Sequence, residues 1–305
     1  MLSKLHTPGS LRALLLSGLA LSASVLSSCA NAVPAPPSPF ADMEALPPIR
    51  TVLQCLPDEA ALVAAHRATS ASYTEPENSL GSLERLIGHG IMMAEVDVAS
   101  IADGTPILFH DGVWDEHASG TGPVVTTPPE DFARLRLKAP DGRVGGDPVP
   151  TLADLLDAAK DRIYIELDLK TSADVERAVA LVRERGMTDQ VLLIASTDEE
   201  AAAFMRDYGH EFLLSLPSAP RKAARTDAKP PRQGVWIGED WRSGAERRVP
   251  QRHYVIGAQW QKNPADLPRA ARALDILVTR QAERYQAVEG LENRAAFRNC
   301  LRKGA

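Results

Sequence analysis

The sequence carries acidic, basic and imidazole side chains at positions where short apolar runs end. His66-Arg67 closes one run, Glu95 and Asp97 lie within a second, His110-Asp111 follows a third, and Glu166, Asp168 and Lys170 lie within a fourth. Residues two apart in a β-strand share a face. Glu95 and Asp97 therefore point together, opposite Ala94, Val96 and Val98, and Glu166, Asp168 and Lys170 point together, opposite Ile165, Leu167 and Leu169. Burying so many ionisable groups without compensation is very costly. A hard divalent cation with oxygen ligands would compensate them. Such a cation, with Arg67 and Lys170, can neutralise an anionic ligand. Two histidines that titrate near neutrality can move the protons.

Elements that would position these side chains are legible along the chain. Strands are predicted over Ala61–Ala65, Met93–Val98, Ile163–Leu169, Val191–Ala195, Phe212–Leu216, Val235–Gly238, Tyr254–Ala258 and Asp275–Thr279. Amphipathic helices are predicted over Ser79–Gly88, Leu152–Lys160, Ala173–Arg185, Glu199–Asp207 and Leu267–Ala273. Asn78 or Ser79 can cap the first of these, and Thr127-Pro128-Pro129-Glu130 reads as a capping box with proline in the first turn. Strands alternating with helices in this way fit a single-domain (β/α)8 TIM barrel, with an open doubly wound sheet as the alternative. Asp103-Gly104 marks a hairpin turn, so the second strand returns over Pro106–Phe109 before its helix begins.

The chain has 305 residues, 24% charged and 44% hydrophobic, with 34 Lys+Arg against 40 Asp+Glu. This is a globular composition, and the net charge of -6 argues against nucleic-acid binding. An acidic protein must attract any anionic ligand through a local site, because its overall field repels it. Lys4 and Arg12 precede an apolar stretch from Ala13 to Leu26, and no acidic residue occurs before Asp42. Residues 1–28 thus read as an export signal, too short and too rich in Ser and Gly for a comfortable membrane span. Leu26-Ser27-Ser28-Cys29 resembles the bacterial lipobox. Cys29 would then carry a lipid anchor on the periplasmic or cell-surface side of a membrane, residues 29–50 would form an Ala/Pro-rich tether, and residues 51–305 the barrel. In an oxidising compartment, Cys55 and Cys300 either join the termini of the domain or remain buried free thiols.

An ordered series of short motifs resembles the glycerophosphodiester phosphodiesterase family. The series is His66-Arg67, Pro76-Glu77-Asn78, Glu95-x-Asp97, Asp103-Gly104 with Phe109-His110-Asp111, Gly120-Thr121-Gly122-Pro123, Pro150-Thr151-Leu152 and Asp168-x-Lys170. The resemblance runs from about Val63 to Lys170 and fades beyond it. It implies a TIM barrel that hydrolyses glycerophosphodiesters to sn-glycerol 3-phosphate and an alcohol. It further implies one divalent cation, Mg²⁺ or Ca²⁺, held by Glu95, Asp97 and Asp168. His66 and His110 would be the acid and base, Arg67 would meet the phosphate, and Lys170 would serve both phosphate binding and catalysis. Glu166, Glu77 and Asp111 are auxiliary candidates.

Three departures from the family pattern stand out. Ala68 replaces the usual glycine after His-Arg, which matters if that residue needs positive φ. Asp168 is one methylene shorter than the usual glutamate; Glu166 shares its face but lies roughly 6–7 Å deeper along the strand. Thr279-Arg280 stands where the family often has Thr-Asp. Asp111 is expected to orient His110 or cap a turn, and Glu77 to line the site or favour a helix start. The Gly120-Thr121-Gly122 stretch reads as a loop turn. Trp236, Trp241 and Trp260 read as aromatic core or as walls of a substrate pocket. Two other functions fit these residues: a phospholipase D-like hydrolase of lysophospholipid or sphingomyelin, and a barrel lipoprotein that binds metal and phosphate without turnover.

Overall fold

A computed structural model describes residues 45–170, 172–219, 231–260, 263–289 and 294–304. Cys29 and the N-terminal leader lie outside the described residues. In chain order the strands are β1 (Leu62–Ala65), β2 (Met93–Ser100), β3 (Pro106–Leu108), β4 (Arg136–Lys138), β5 (Val144–Pro148), β6 (Tyr164–Leu169), β7 (Val191–Ile194), β8 (Leu213–Leu216), β9 (Gly234–Trp236), β10 (Tyr254–Gln259) and β11 (Ile276–Thr279). The helices are α1 (Ile49–Cys55), α2 (Leu80–Gly88), α3 (Pro129–Phe132), α4 (Leu152–Ala159), α5 (Ser172–Glu184), α6 (Asp198–Asp207), α7 (Leu267–Ala273), α8 (Ala282–Glu289) and α9 (Arg294–Gly304).

Parallel pairing runs β1-β2-β6-β7-β8-β9-β10-β11 and closes back on β1, with Ala64 beside Met93 on one side and Leu62 beside Ile276 on the other. The sheet is therefore a closed eight-stranded (β/α)8 barrel, and the open-sheet alternative is excluded. The hairpin at Asp103-Gly104 forms, with Gly104 at φ 77°, and β3 returns antiparallel to β2. The crossover from β9 to β10 is built from two 3-10 turns, Asp240–Ser243 and Ala245–Arg248. Among the described residues no helix is long and apolar enough to cross a membrane.

Two apolar layers hold the barrel. The outward-facing residues Ala94, Val96, Val98, Ile165 and Leu167 pack with Leu83 and Leu86 of α2, Leu152 and Leu155 of α4, and Val179 and Val182 of α5. Inside, Leu62, Met93, Tyr164, Leu192, Leu213, Tyr254 and Ile276, all at or near the starts of their strands, form a second cluster. Ile49 and Val52 of α1, with Phe297 and Leu301 of α9, pack into it and close the barrel bottom. There Cys55 and Cys300 form a disulfide with Cα atoms 5.6 Å apart. A third cluster of Ile107, Phe109, Trp114, Val124, Leu137 and Val149 forms a small core of its own beneath the excursion between β2 and α4.

Helix starts follow local chemistry, with one correction. Thr151 and Asp154 cap α4 reciprocally, as Thr197 and Glu200 cap α6, and Ser79 accepts from the Ser82 N–H at the start of α2. The capping box expected at Thr127 does not form. Thr127 Oγ1 instead accepts from Trp114 Nε1 at 2.7 Å and donates to the Pro123 carbonyl at 3.1 Å, so α3 begins without a side-chain cap. Burying the Trp114 indole requires a partner for its N–H, and that requirement takes the threonine.

After β1 the backbone turns sharply: Arg67 has φ 53° and Ala68 φ 49°, although neither is glycine. Each left-handed non-glycine residue costs about 1–2 kcal/mol. Gly at position 68 would relieve that strain, but at the expense of a buried methyl, about 0.8 kcal/mol, and about 0.5–1 kcal/mol of backbone entropy. Ala68→Gly is therefore expected to change unfolding free energy by less than about 0.5 kcal/mol in urea titration. The control Ala94→Gly, in β2, should lose about 1.5 kcal/mol from the same two costs without the relief. Equal losses at the two sites would refute the strain at Ala68. At the barrel bottom, replacing Cys55 by Ser is expected to lower stability by about 2–4 kcal/mol, because the bridge closes nearly the whole domain. Reduction should produce the same drop in the wild-type chain and none in the variant.

Candidate functional site

The site is built on the top ends of β1, β2 and β6. Parallel register places Glu95 beside Glu166 and Asp97 beside Asp168. Glu95, Asp97 and Glu166 are buried, and Asp168 is partly buried. One oxygen from each of Glu95, Asp97 and Asp168 lies within 4.8 Å of the other two. Glu166, one layer deeper, stands outside this trio.

Each carboxyl has a different set of neighbours. Asp97 accepts from Asn78 Nδ2 at 3.0 Å and lies 2.7 Å from Lys170 Nζ and 3.5 Å from Arg67 Nε. Burial opposes its charge, but the Lys170 ammonium and these hydrogen bonds hold Asp97 below the usual carboxylate range. Lys170 also donates to Asp168 at 2.6 Å. Glu95 accepts the Arg67 backbone N–H at 2.8 Å, yet burial and the neighbouring Asp97 push its pKa well up. Glu166 has no hydrogen-bond partner on either oxygen, and burial followed by the charge of Asp168 pushes it up to about 8. A cluster of acids in which Glu166 has no donor and Glu95 only one fits a hard divalent cation, and Glu95, Asp97 and Asp168, whose oxygens converge, are the residues placed to hold one.

Arg67 is fixed from two sides. Its Nη1 donates to Glu77 at 2.6 Å, and its N–H is held by Glu95 because of the left-handed turn. Glu77 thus lines the site rather than acting only on the helix start. Asn78, also left-handed at φ 53°, pairs with Asp97 through both its amide groups, the Asp97 N–H donating to Asn78 Oδ1 at 3.2 Å. The Pro76-Glu77-Asn78 motif therefore serves the strand acids, and the neighbouring Ser79 does the helix capping.

The two motif histidines have partners of opposite sign. His110 Nδ1 lies 2.7 Å from Asp111 Oδ1. A carboxylate accepts, so Nδ1 carries the hydrogen and a neutral ring keeps its lone pair on Nε2. His66 Nδ1 instead accepts from Arg280 Nε at 3.2 Å. A neutral His66 therefore carries its proton on Nε2, which faces Glu95 Oε2 at 4.0 Å. Burial, then the charges of Arg67 and Arg280, push His66 down to about 3, so the ring is neutral at physiological pH.

Sequence reasoning missed several participants. His117 Nδ1 lies 2.5 Å from Asp111 Oδ2, so Asp111 bridges two imidazoles, and His117 Nε2 is 3.9 Å from Glu77. Hydrogen bonds from both histidines hold Asp111 below the usual range against the effect of burial. Asn78 lay in a recognised motif, but its strand partner was not foreseen; His117 lies in a connection where no periodicity predicts direction, and Arg280, singled out as a departure from the family pattern, is placed by the structure against His66. A cavity of about 280 Å³ opens beside Glu95 and Asp168 of the trio, walled also by His66, Glu166, Trp236 and Trp260. Of the three late tryptophans, Trp236 and Trp260 are walls, whereas Trp241 is core and donates to the Ala258 carbonyl at 2.8 Å. Gly120 packs close to Trp114 and Gly122 has φ 84°, so that stretch is a loop turn.

Comparison with known proteins points the same way as this geometry. Glycerophosphodiester phosphodiesterase 1 of Mus musculus is 27% identical over 201 residues, 62% of this chain, and the human protein of that name is 25% identical over 203 residues. The chain spans 59% of the length of the mouse relative. A glycerophosphoryl diester phosphodiesterase from Parabacteroides distasonis superposes with a TM-score of 0.66 at 20% identity, over 81% of this chain and 93% of its own. An Oleispira antarctica phosphodiesterase, solved with the product sn-glycerol-3-phosphate, superposes with a TM-score of 0.58 at 18% identity, over 75% and 96% of the two chains. These structural likenesses establish the shared barrel. The Glycerophosphoryl diester phosphodiesterase family profile matches residues 66–243, more than half of the chain and starting at His66 itself, so the chain belongs to that family.

Proposed function

We propose that the protein hydrolyses glycerophosphodiesters to sn-glycerol 3-phosphate and an alcohol, with one divalent cation, Mg²⁺ or Ca²⁺, at Glu95, Asp97 and Asp168. The observation that carries this reading is the convergence of that carboxylate trio with Arg67, Lys170 and two oppositely partnered histidines at one barrel mouth. A bound cation would supply Lewis-acid stabilisation of the phosphoryl charge. Arg67, held by Glu77, presents a guanidinium to the diester, and Lys170 adds a second positive charge beside it. His110, with its Nδ1 hydrogen committed to Asp111, has Nε2 free to take the proton of an attacking water; where the glycerol hydroxyl next to the ester attacks first, water opens the resulting cyclic phosphodiester in the same way. As the new P–O bond forms and the old one breaks, the neutral His66 donates an Nε2 hydrogen bond to the departing oxygen, and the proton taken up by His110 balances the one the alkoxide gains through solvent. We further propose that the chain is exported and held on a membrane through lipid on Cys29; the lipobox-like Leu26-Ser27-Ser28-Cys29 supports this.

Purified mature protein should release sn-glycerol 3-phosphate from glycerophosphocholine or glycerophosphoethanolamine with Mg²⁺ or Ca²⁺ and stop when chelated. The cation should also raise the unfolding temperature, since binding to the native state alone adds about 2.7 kcal/mol at a hundredfold excess over Kd. Asp97→Asn should abolish that shift, and full activity under chelation would end the metal assignment. The division of labour between the histidines has its own test. His110→Ala should lose about 10²–10⁴-fold in kcat on any diester, whereas His66→Ala should lose as much on an alkyl diester but far less on a p-nitrophenyl ester, whose leaving group needs no proton. The reverse pattern would exchange the two roles.

A further inference from the structure

Three cations stand close to the reacting groups, and two are already engaged. Arg67 Nη1 is on Glu77 at 2.6 Å, and Lys170 Nζ lies between Asp97 and Asp168 at 2.7 and 2.6 Å. Arg280, just past the end of β11, differs. Its Nε donates to His66 Nδ1, and among the described residues neither Nη makes a hydrogen bond or ion pair. The side chain is exposed, so the two Nη groups form an open, planar, bidentate fork at the rim.

His66 relates this fork to the substrate. Its Nε2 edge faces Glu95 and the carboxylate trio, whereas its Nδ1 edge faces Arg280. Arg280 therefore lies on the far side of the imidazole from the phosphoryl position. The ring of Trp260, 40% exposed, meets His66 edge-on at 4.7 Å between centroids and walls the same cavity. The acid nearest this wall is occupied: Glu239 Oε1 accepts the Trp260 N–H at 3.2 Å and lies 3.4 Å from Arg242 Nη2. With His66 Nε2 turned to the leaving oxygen, the alcohol that oxygen carries lies against the cavity wall formed by His66 and Trp260, and Arg280, not itself a wall of the cavity, holds its exposed fork just beyond His66 at the rim.

We infer that Trp260 and Arg280 form the subsite for the alcohol portion of the diester, and that Arg280 selects alcohols bearing an anionic group over those bearing a quaternary ammonium. This rests on the hydrolytic reading above and on the placement of His66, with Nε2 toward the carboxylate trio and Nδ1 toward Arg280. The aromatic face accepts the carbon skeleton of either kind of alcohol. The guanidinium sets the sign, attracting a carboxylate or second phosphate and repelling a cation. The effect is that of one charge pair near the surface, so it is about tenfold and falls with added salt.

The test uses three sn-glycerol 3-phosphate diesters that differ in the charge of the alcohol, with glycolate, ethanol and choline as alcohols, assayed with Mg²⁺. The wild-type kcat/KM should rank glycolate above ethanol above choline. Arg280→Gln should lower the glycolate-to-choline ratio about tenfold, Arg280→Lys should keep most of it, and Arg280→Glu should invert the ranking. An unchanged ratio in Arg280→Gln, or an equal loss on all three diesters, would overturn the assignment and leave Arg280 only a positioning residue for His66. Calorimetric Kd values for the same diesters on His110→Ala and His110→Ala/Arg280→Gln proteins separate this from a failure of the hydrolytic reading. A tenfold change in the Kd ratio supports the subsite even if no diester is turned over, and an unchanged ratio refutes it.

Discussion

The parallel register of β2 on β6 places four carboxyl groups side by side at the barrel mouth, Glu95 with Glu166 and Asp97 with Asp168. Like charges on neighbouring strands repel, and three of these groups are buried. The surrounding arrangement divides the load unequally. Lys170, Arg67 and Asn78 all converge on Asp97, which stays charged, while Glu95 and Glu166 are pushed toward their neutral forms. The left-handed backbone at Arg67 and Asn78 follows from the same demand, since only a sharp turn after β1 brings the Arg67 N–H to Glu95 and only a twisted Asn78 meets both the N–H and the carboxylate of Asp97.

The opposite end of the barrel makes this tolerable. Along the inner face of β2 the side chains run Met93, Glu95, Asp97, and along β6 they run Tyr164, Glu166, Asp168, Lys170, so polarity rises from a sealed bottom to an open top. The lowest layer is apolar, covered by α1 and α9 and tied by Cys55–Cys300. Stability is thus concentrated where no chemistry is done, in keeping with the division of faces usual in this fold. His110 does not rest on the barrel core at all. It follows β3 directly, and the excursion that carries it has its own cluster around Phe109 and Trp114. A loop residue needs that local packing to hold a hydrogen bond to Asp111 in one place.

Legibility in the sequence followed periodicity. The alternation Ala94-Glu95-Val96-Asp97-Val98 and its counterpart in β6 put the acids on one face, and the structure has them there. Asp103-Gly104 was readable because a hairpin needs positive φ and glycine supplies it. Ala68 was readable only as a question, since its left-handed conformation depends on Arg67 and Glu95 rather than on its own side chain. Thr127 misled because its local signal for a helix cap was outweighed by a long-range obligation to the Trp114 indole. His117, seven residues after His110, reaches Asp111 only because the excursion folds back, and Arg280 reaches His66 only because the barrel closes β11 onto β1. Contacts of this kind are set by topology, which no window of sequence encodes.

Barrel closure also separates the two histidines. Both lie just past the end of a strand, both are part-buried, and the residue type alone predicts the same behaviour for each. Closing β11 onto β1 presents His66 Nδ1 with a guanidinium donor, whereas the residue following His110 presents its Nδ1 with a carboxylate acceptor. A donor on Nδ1 leaves the proton of a neutral imidazole on Nε2, and an acceptor on Nδ1 leaves Nε2 with the lone pair. The two rings thereby present opposite Nε2 edges, an N–H on His66 and a lone pair on His110. Either ring would lose that state if the sign of its neighbour changed, so the difference belongs to the Arg280–His66 and His110–Asp111 pairs rather than to imidazole as such.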